Sequence, residues 1–150
     1  MNMNEKDFMN SIANPFVKLL LRSPLHKLAD KSVVLIIYTG RKTGETHSVP
    51  VNYVKEGNTL HIISQRDRTW WRNLRDGAAV KIILEGKQYS GWAALIEDQA
   101  AVVAELRKIY SSNPQKAHLI NVRLYHDGTL DESDLTIAAK ERVAITLTIS

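Results

Sequence analysis

The sequence predicts a mainly β domain with flanking helices, a small six-stranded antiparallel barrel. Three observations predict it. Short runs rich in β-branched and aromatic residues recur at 32–38, 46–54, 59–64, 78–84, 88–96 and 142–149. Glycine-bearing turns, the loop 39–45, Glu56-Gly57-Asn58 and Glu85-Gly86-Lys87, separate successive runs at hairpin distance. Finally, 150 residues with no linker, repeat or low-complexity segment suit one domain, 1–150, around one good core.

Residues 1–30 read as N-terminal helices. Phe8, Ile12, Phe16, Leu19, Leu20 and Leu28 fall on or near one stripe, and Pro15 and Pro24 divide it into two shorter helices. The barrel strands follow over 32–97. The run Val33-Val34-Leu35-Ile36-Ile37 shows no alternation, as a strand buried on both faces does. Residues 46–54 alternate, with Val49, Val51 and Tyr53 on one face and Ser48, Pro50 and Asn52 on the other. Pro50 has no N–H for a ladder, so that strand has an edge, a bulge or a ligand there.

After the strand 59–64, Thr69 stands where it would cap a short helix over 70–75. Trp70 and Trp71 fall on different sides of it, one in the core and the other free to face a pocket. The helical region spans 98–140. Its first helix, 98–110, has Asp98 at its positive end and Val102, Val103, Leu106 and Ile109 inward. Ser112-Asn113-Pro114 breaks it, 117–125 reads as a further helix, and Asp131, Glu132 and Asp134 cap and solvate a short one. The closing strand, 141–150, turns Val143, Ile145, Leu147 and Ile149 inward and pairs back into the barrel.

Composition removes several functions. The absence of cysteine excludes disulfides, thiolate metal sites and cysteine nucleophiles, and fits a reducing cytoplasm. The first ten residues carry Glu5 and Asp7 without a basic region, so no secretory signal is expected, and Leu19-Leu20-Leu21 is too short to span a bilayer. His26, His61, His118 and His126 lack metal-ligand spacing, and Ser111 and Ser112 have no adjacent base, so neither a metal centre nor a hydrolase is expected. From Arg41 to Arg75, seven lysines and arginines stand against Glu45, Glu56 and Asp67, so the whole formal charge of +4 falls in this stretch. A local excess suits a bound anion; nucleic acid would call for a broad basic stripe, which is missing.

The stretch begins with Thr39-Gly40-Arg41-Lys42-Thr43-Gly44-Glu45, two glycines framing adjacent cations. Two readings stand: a cradle where glycine lets an anion approach the backbone, or a hairpin with solvated side chains.

This loop, followed by Val49-Pro50-Val51 and then Trp70-Trp71-Arg72-Asn73-Leu74, resembles the deazaflavin-dependent nitroreductase family over residues 33–97. The resemblance implies an FMN-binding type of split β-barrel, related to the pyridoxamine-phosphate oxidases. It implies a deazaflavin cofactor, coenzyme F-420, with FMN as the alternative, and hydride transfer to a small quinone, nitro or enone acceptor in a cytoplasmic homodimer. Carried over by position, Arg41, Lys42 and Thr43 would hold the phosphate and acidic tail. Ser48, Val49, Pro50 and Val51 would flank the ring, Ser64 and Gln65 would line the phosphate side, and Trp70 would close the pocket. No catalytic residue, metal or membrane segment is implied.

The chain departs from the family at His47 and Gln65, where many members carry a cation. Arg66 and Arg68 beside Gln65 either replace that charge or are solvated. Residues 108–140 lack the resemblance, so no substrate-contacting tyrosine is assigned to Tyr110 or Tyr125. The departures leave a second reading, a non-catalytic barrel that binds a cofactor, tetrapyrrole or lipid, and a third, a subunit acting through dimerisation.

Overall fold

The computed structural model describes residues 33–150, and the expected N-terminal helices of residues 7–29 lie outside the described residues. Seven strands form one antiparallel sheet: β1 (Val33–Thr39), β2 (Thr46–Asn52), β3 (Val54–Glu56), β4 (Thr59–Gln65), β5 (Ala78–Leu84), β6 (Lys87–Ile96) and β7 (Arg142–Ile149). Two α-helices, α1 (Gln99–Ser112) and α2 (Glu132–Lys140), and two 3₁₀ segments, Trp70–Leu74 and Pro114–Ile120, complete the described fold.

The sheet order is β2-β1-β5-β6-β7-β4-β3. The first and last strands of that order are joined in sequence by Tyr53 alone, so the sheet must curl until its two edges meet. The seventh strand arises because the run 46–54 changes partner: Thr46–Asn52 pairs with β1, and Val54–Glu56 pairs with β4. The closing strand does more than cover an edge, since β7 lies between β6 and β4 and pairs with both.

Alternation along β4 and β7 separates two cores. Leu60, Ile62, Val143, Ile145 and Leu147 fill the barrel with Val34, Ile36 and Ile82. On the other face, Ile63 and Ile96 pack under Val102, Leu106, Ala117, Leu135 and Ala139. Ala144, directly opposite Ile63, belongs to that outer face, which explains why β7 is buried on both sides.

Helix ends follow local chemistry. Asp98 caps α1 by accepting from the Ala101 N–H at 3.0 Å, and Asp131 caps α2 by accepting from the Asp134 N–H at 2.8 Å. Thr69 takes the N-cap position of Trp70–Leu74 but makes no side-chain cap hydrogen bond, and that segment is 3₁₀, ending at Leu74. The expected helix at 117–125 is instead the 3₁₀ segment Pro114–Ile120. It is stopped by Asn121 at φ 59°, and the chain beyond it closes a bridge between Leu124 and Leu130. Pro114 starts it, as proline does at a first helical position.

Asp131 also accepts from the Tyr125 hydroxyl, and Arg123 donates to Asp134 at 2.9 Å. The Tyr125 hydroxyl, then the Asp134 amide, hold the Asp131 carboxyl below the usual range; the Arg123 guanidinium does the same for Asp134. A carboxylate with a depressed folded pKa stabilises fully above its unfolded value and loses that contribution as pH falls through the folded value. The urea midpoint is therefore expected to lose the contribution of these groups only below about pH 4. Asp134→Asn should flatten that acid limb, and an unchanged limb would refute the assignment.

Candidate functional site

The barrel is split beside Pro50. The β3–β4 ladder runs from Glu56 opposite Thr59 to Val54 opposite His61. Continuing the register would set Asn52 against Ile63 and Pro50 against Gln65, but no ladder joins β2 to β4. Pro50 has no N–H with which to form it. In this gap lies a cavity of about 500 Å³. The β2–β3 corner, Pro50 to Val54, forms one wall, β4 supplies His61, Ile63, Ser64 and Gln65, and Trp70 stands beside them. The rest of the lining comprises Ile109, Tyr110 and Asn113 from the end of α1, Lys116, Leu119 and Ile120 from the 3₁₀ segment, Arg68, and Arg142 at the start of β7, which pairs with Gln65.

Of the residues expected to hold a ligand, the cavity gathers Pro50, Val51, Ser64, Gln65 and Trp70. The Trp70 indole N–H donates to Ser64 Oγ at 3.1 Å, and Ser64 Oγ donates to the Gln65 carbonyl at 3.2 Å, so Ser64 fixes the ring that forms the wall. Both tryptophans are buried: Trp70 borders the cavity, and Trp71 lies under the Arg72 and Arg75 guanidiniums at 5.6 and 5.4 Å from its ring centroid.

Arg41, Lys42, Thr43, Ser48 and Val49 are not on this lining. The loop stands at the other end of β2, the four residue steps from Thr46 to Pro50 spanning about 13 Å. It is a built loop. The Gly40 N–H donates to the Glu45 carbonyl and the Gly44 N–H to the Gly40 carbonyl, both at 2.8 Å, while Thr43 Oγ1 accepts from the Glu45 N–H at 3.2 Å. Gly44 sits at φ 70°, where a side chain is strained, and a Cβ on Gly40 would meet Thr43 Oγ1 at 2.9 Å and force that side chain to move.

Arg41 is partly committed, its N–H donating to Asn73 Oδ1 at 3.0 Å and its guanidinium pairing with the exposed Asp76 at 3.3 Å. Lys42 is exposed and has no acidic partner among the described residues. Asn73 also donates to the Trp70 carbonyl at 2.9 Å and so links the loop to the cavity wall. Tyr38 lies between the two, its ring 5.6 Å from His47 and 6.2 Å from Trp70.

Sequence reasoning missed the rest of the cavity lining. Tyr110, Asn113, Lys116 and Arg142 come from a region without family resemblance, and only the pairing of Gln65 with Arg142 across β4 and β7 brings the arginine to the site. The Tyr110 phenol is pushed up by burial, partly offset by the Arg142 charge, and so stays protonated at neutral pH. The two arginines beside Gln65 divide. Arg66 staples the barrel, donating to the Glu97 and Arg142 carbonyls at 2.9 and 3.0 Å, while Arg68 borders the cavity. His61 is buried, with Nδ1 2.9 Å from Glu105 and Nε2 3.5 Å from Glu56, and ties β4 to α1. No cluster of three metal-ligating side chains occurs among the described residues, and no helix among them is long and apolar enough to cross a membrane.

The sequence model of the F420H(2)-dependent quinone reductase family matches residues 9–120. The chain belongs to this family. No curated protein matches its sequence. Among solved structures, an F420-H2 dependent reductase superposes with a TM-score of 0.52 at 16% identity, over 81% of this chain and 96% of that one. The FAD and haem binding protein from Mycobacterium smegmatis gives 0.50 at 15% identity, over 86% of this chain and 66% of that one. A structure described as a domain-swapped dimer gives 0.52 at 16% identity, over 96% and 99%. At such identities the likeness is one of fold, and the fold is a split barrel.

The family's deazaflavin suits the residues present. A tricyclic ring needs an apolar wall and few polar groups, which Pro50, Val51, Tyr53 and Trp70 with Gln65 provide in a cavity of about 500 Å³. A phosphate and acidic tail need cations, and Lys42, which has no acidic partner among the described residues, stands beside Arg41.

Proposed function

We propose that this protein is a reductase that uses coenzyme F-420, with FMN as the alternative, to deliver a hydride to a small quinone, nitro or enone acceptor. The observation that carries this reading is the cavity in the barrel split, apolar at Pro50 and Val51 and cationic at Arg68, Lys116 and Arg142, in a chain of a deazaflavin-dependent family. The reduced coenzyme supplies a hydride, which the acceptor takes up together with a proton. On this reading Pro50 and Val51 lie against the ring and Ser48 and Val49 continue that strand toward the loop. Trp70, fixed by Ser64, closes the end. Gln65 borders the ligand from β4, and Arg41, Lys42 and Thr43 take the phosphate and tail. The protein acts as a cytoplasmic homodimer, and a mass of one chain by light scattering would overturn the dimer.

Titration of the purified protein with each coenzyme, followed by absorption and fluorescence, tests the main claim. Saturable binding of coenzyme F-420 and its turnover with a quinone are expected. No binding of either coenzyme at high micromolar concentration overturns the reading, and binding without reduction of any acceptor favours a non-catalytic carrier.

A further inference from the structure

The cavity carries a second set of charges that the coenzyme loop does not use. Among the described residues its lining includes Arg68, Lys116 and Arg142, and no aspartate or glutamate. Most described arginines elsewhere are paired: Arg41 with Asp76, Arg75 with Glu97, Arg107 with Glu132 and Arg123 with Asp134. Arg68 and Lys116 have no acidic partner among the described residues.

Arg142 is only 8% exposed. Among the described residues its single side-chain hydrogen bond runs from Nη1 to the Ala138 carbonyl at 3.2 Å. Its nearest carboxylate among the described residues, on the exposed Glu141, is 3.7 Å away. Capping the end of α2 accounts for one N–H of a guanidinium that has five. It does not account for two further cations converging on the same space. A buried charge whose one described counter-ion is exposed and 3.7 Å away is only partly compensated, and a ligand carboxylate within hydrogen-bond distance would complete the pairing inside a low-dielectric site. Gln65, directly across from Arg142 in the β4–β7 register, adds an amide donor on the same lining.

We propose that this wall is an anion site and that the acceptor is an organic acid, a planar compound carrying a carboxylate. The acceptor role rests on the reductase reading; the anion site does not. The same cations could meet an acidic group of the coenzyme instead, so the test separates the two sources.

The probes are anthraquinone-2-carboxylate and its carboxamide, equal in shape and different in charge. Binding is read by tryptophan fluorescence without coenzyme, and KM is read with the reduced coenzyme. The acid is expected to bind at least about tenfold more tightly, the margin shrinking with salt because Arg68 and Lys116 are exposed. In an Arg68→Gln/Lys116→Gln variant, whose changes are at exposed positions, the preference should fall to about threefold or less. Arg142→Gln should remove what is left. Equal affinity of the two probes for the parent protein would overturn the proposal. So would a preference that survives in the double variant, or a double variant that loses coenzyme affinity while keeping its preference for the acid. Acid preference without turnover of the bound acid would keep the anion site and overturn the acceptor role.

Discussion

Replacing Trp70 by alanine is expected to destabilise the protein by about 3 kcal/mol and to abolish ligand binding in the split. The indole belongs to the barrel core, is 8% exposed and packs 6.2 Å from the Tyr38 ring. Truncating a large buried aromatic costs roughly 3–5 kcal/mol, the upper values arising where a closed void remains. Here the vacated space opens into an existing cavity of about 500 Å³ that water can enter, so the lower end applies. Chemical unfolding measures the stability, and coenzyme titration measures the loss of the wall.

The two neighbouring tryptophans supply an internal control. Trp70→Phe deletes an indole N–H that donates to Ser64 Oγ at 3.1 Å, whereas the buried Trp71 Nε1 has no partner among the described residues. Both changes remove the same atoms, and since Trp71→Phe also weakens the stacking of Arg72 and Arg75, their difference is a lower bound on the hydrogen bond. Trp70→Phe should therefore cost up to about 1 kcal/mol more than Trp71→Phe. Equal costs would mean that the bond to Ser64 is worth no more than that stacking.

The strands were legible in the sequence because each is written locally. Runs of valine and isoleucine and the glycine turns mark where they begin and end, and Asp98 and Asp131 announce the helix starts through their caps. The seventh strand was not legible. Whether residues 46–54 stay with β1 or cross to β4 is decided by the curl of the whole sheet, and Pro50 signals only that pairing fails somewhere near. The helix at 117–125 was misjudged because Pro114 starts a 3₁₀ turn earlier, and Asn121, in the left-handed region, ends it.

The candidate site divides along the same line. Pro50, Val51, Ser64, Gln65 and Trp70 lie within one stretch of chain and were found together, because resemblance and strand pattern both act over short distances. Arg142 and Tyr110 reach the cavity only through the β4–β7 register and the packing of α1, which no local pattern encodes. Arg66 and Arg68 look alike in sequence. They differ in structure because the first turns back to the Glu97 and Arg142 carbonyls, and the second does not.

Arg41→Ala combined with Lys42→Ala should weaken coenzyme F-420 binding by about 10²–10⁴-fold, since each residue would lose a charge-assisted hydrogen bond of roughly 1.5–3 kcal/mol. The fold should be unaffected. Among the described residues Arg41 pairs through its side chain only with Asp76, itself 92% exposed, and an exposed pair contributes little. The backbone N–H that Asn73 accepts remains in the variant, so the loop keeps its link to the Trp70 wall. The informative comparison is with the deazaflavin chromophore that lacks phosphate and tail. The parent protein should prefer the complete coenzyme strongly, and the double variant should bind the two forms with similar affinity. If the variant keeps the parent's preference, the Gly-Arg-Lys-Thr-Gly loop is a solvated hairpin, and the tail must be met by cations elsewhere. If both forms weaken equally, the loop acts on the ring site through Asn73 and not by pairing with charge.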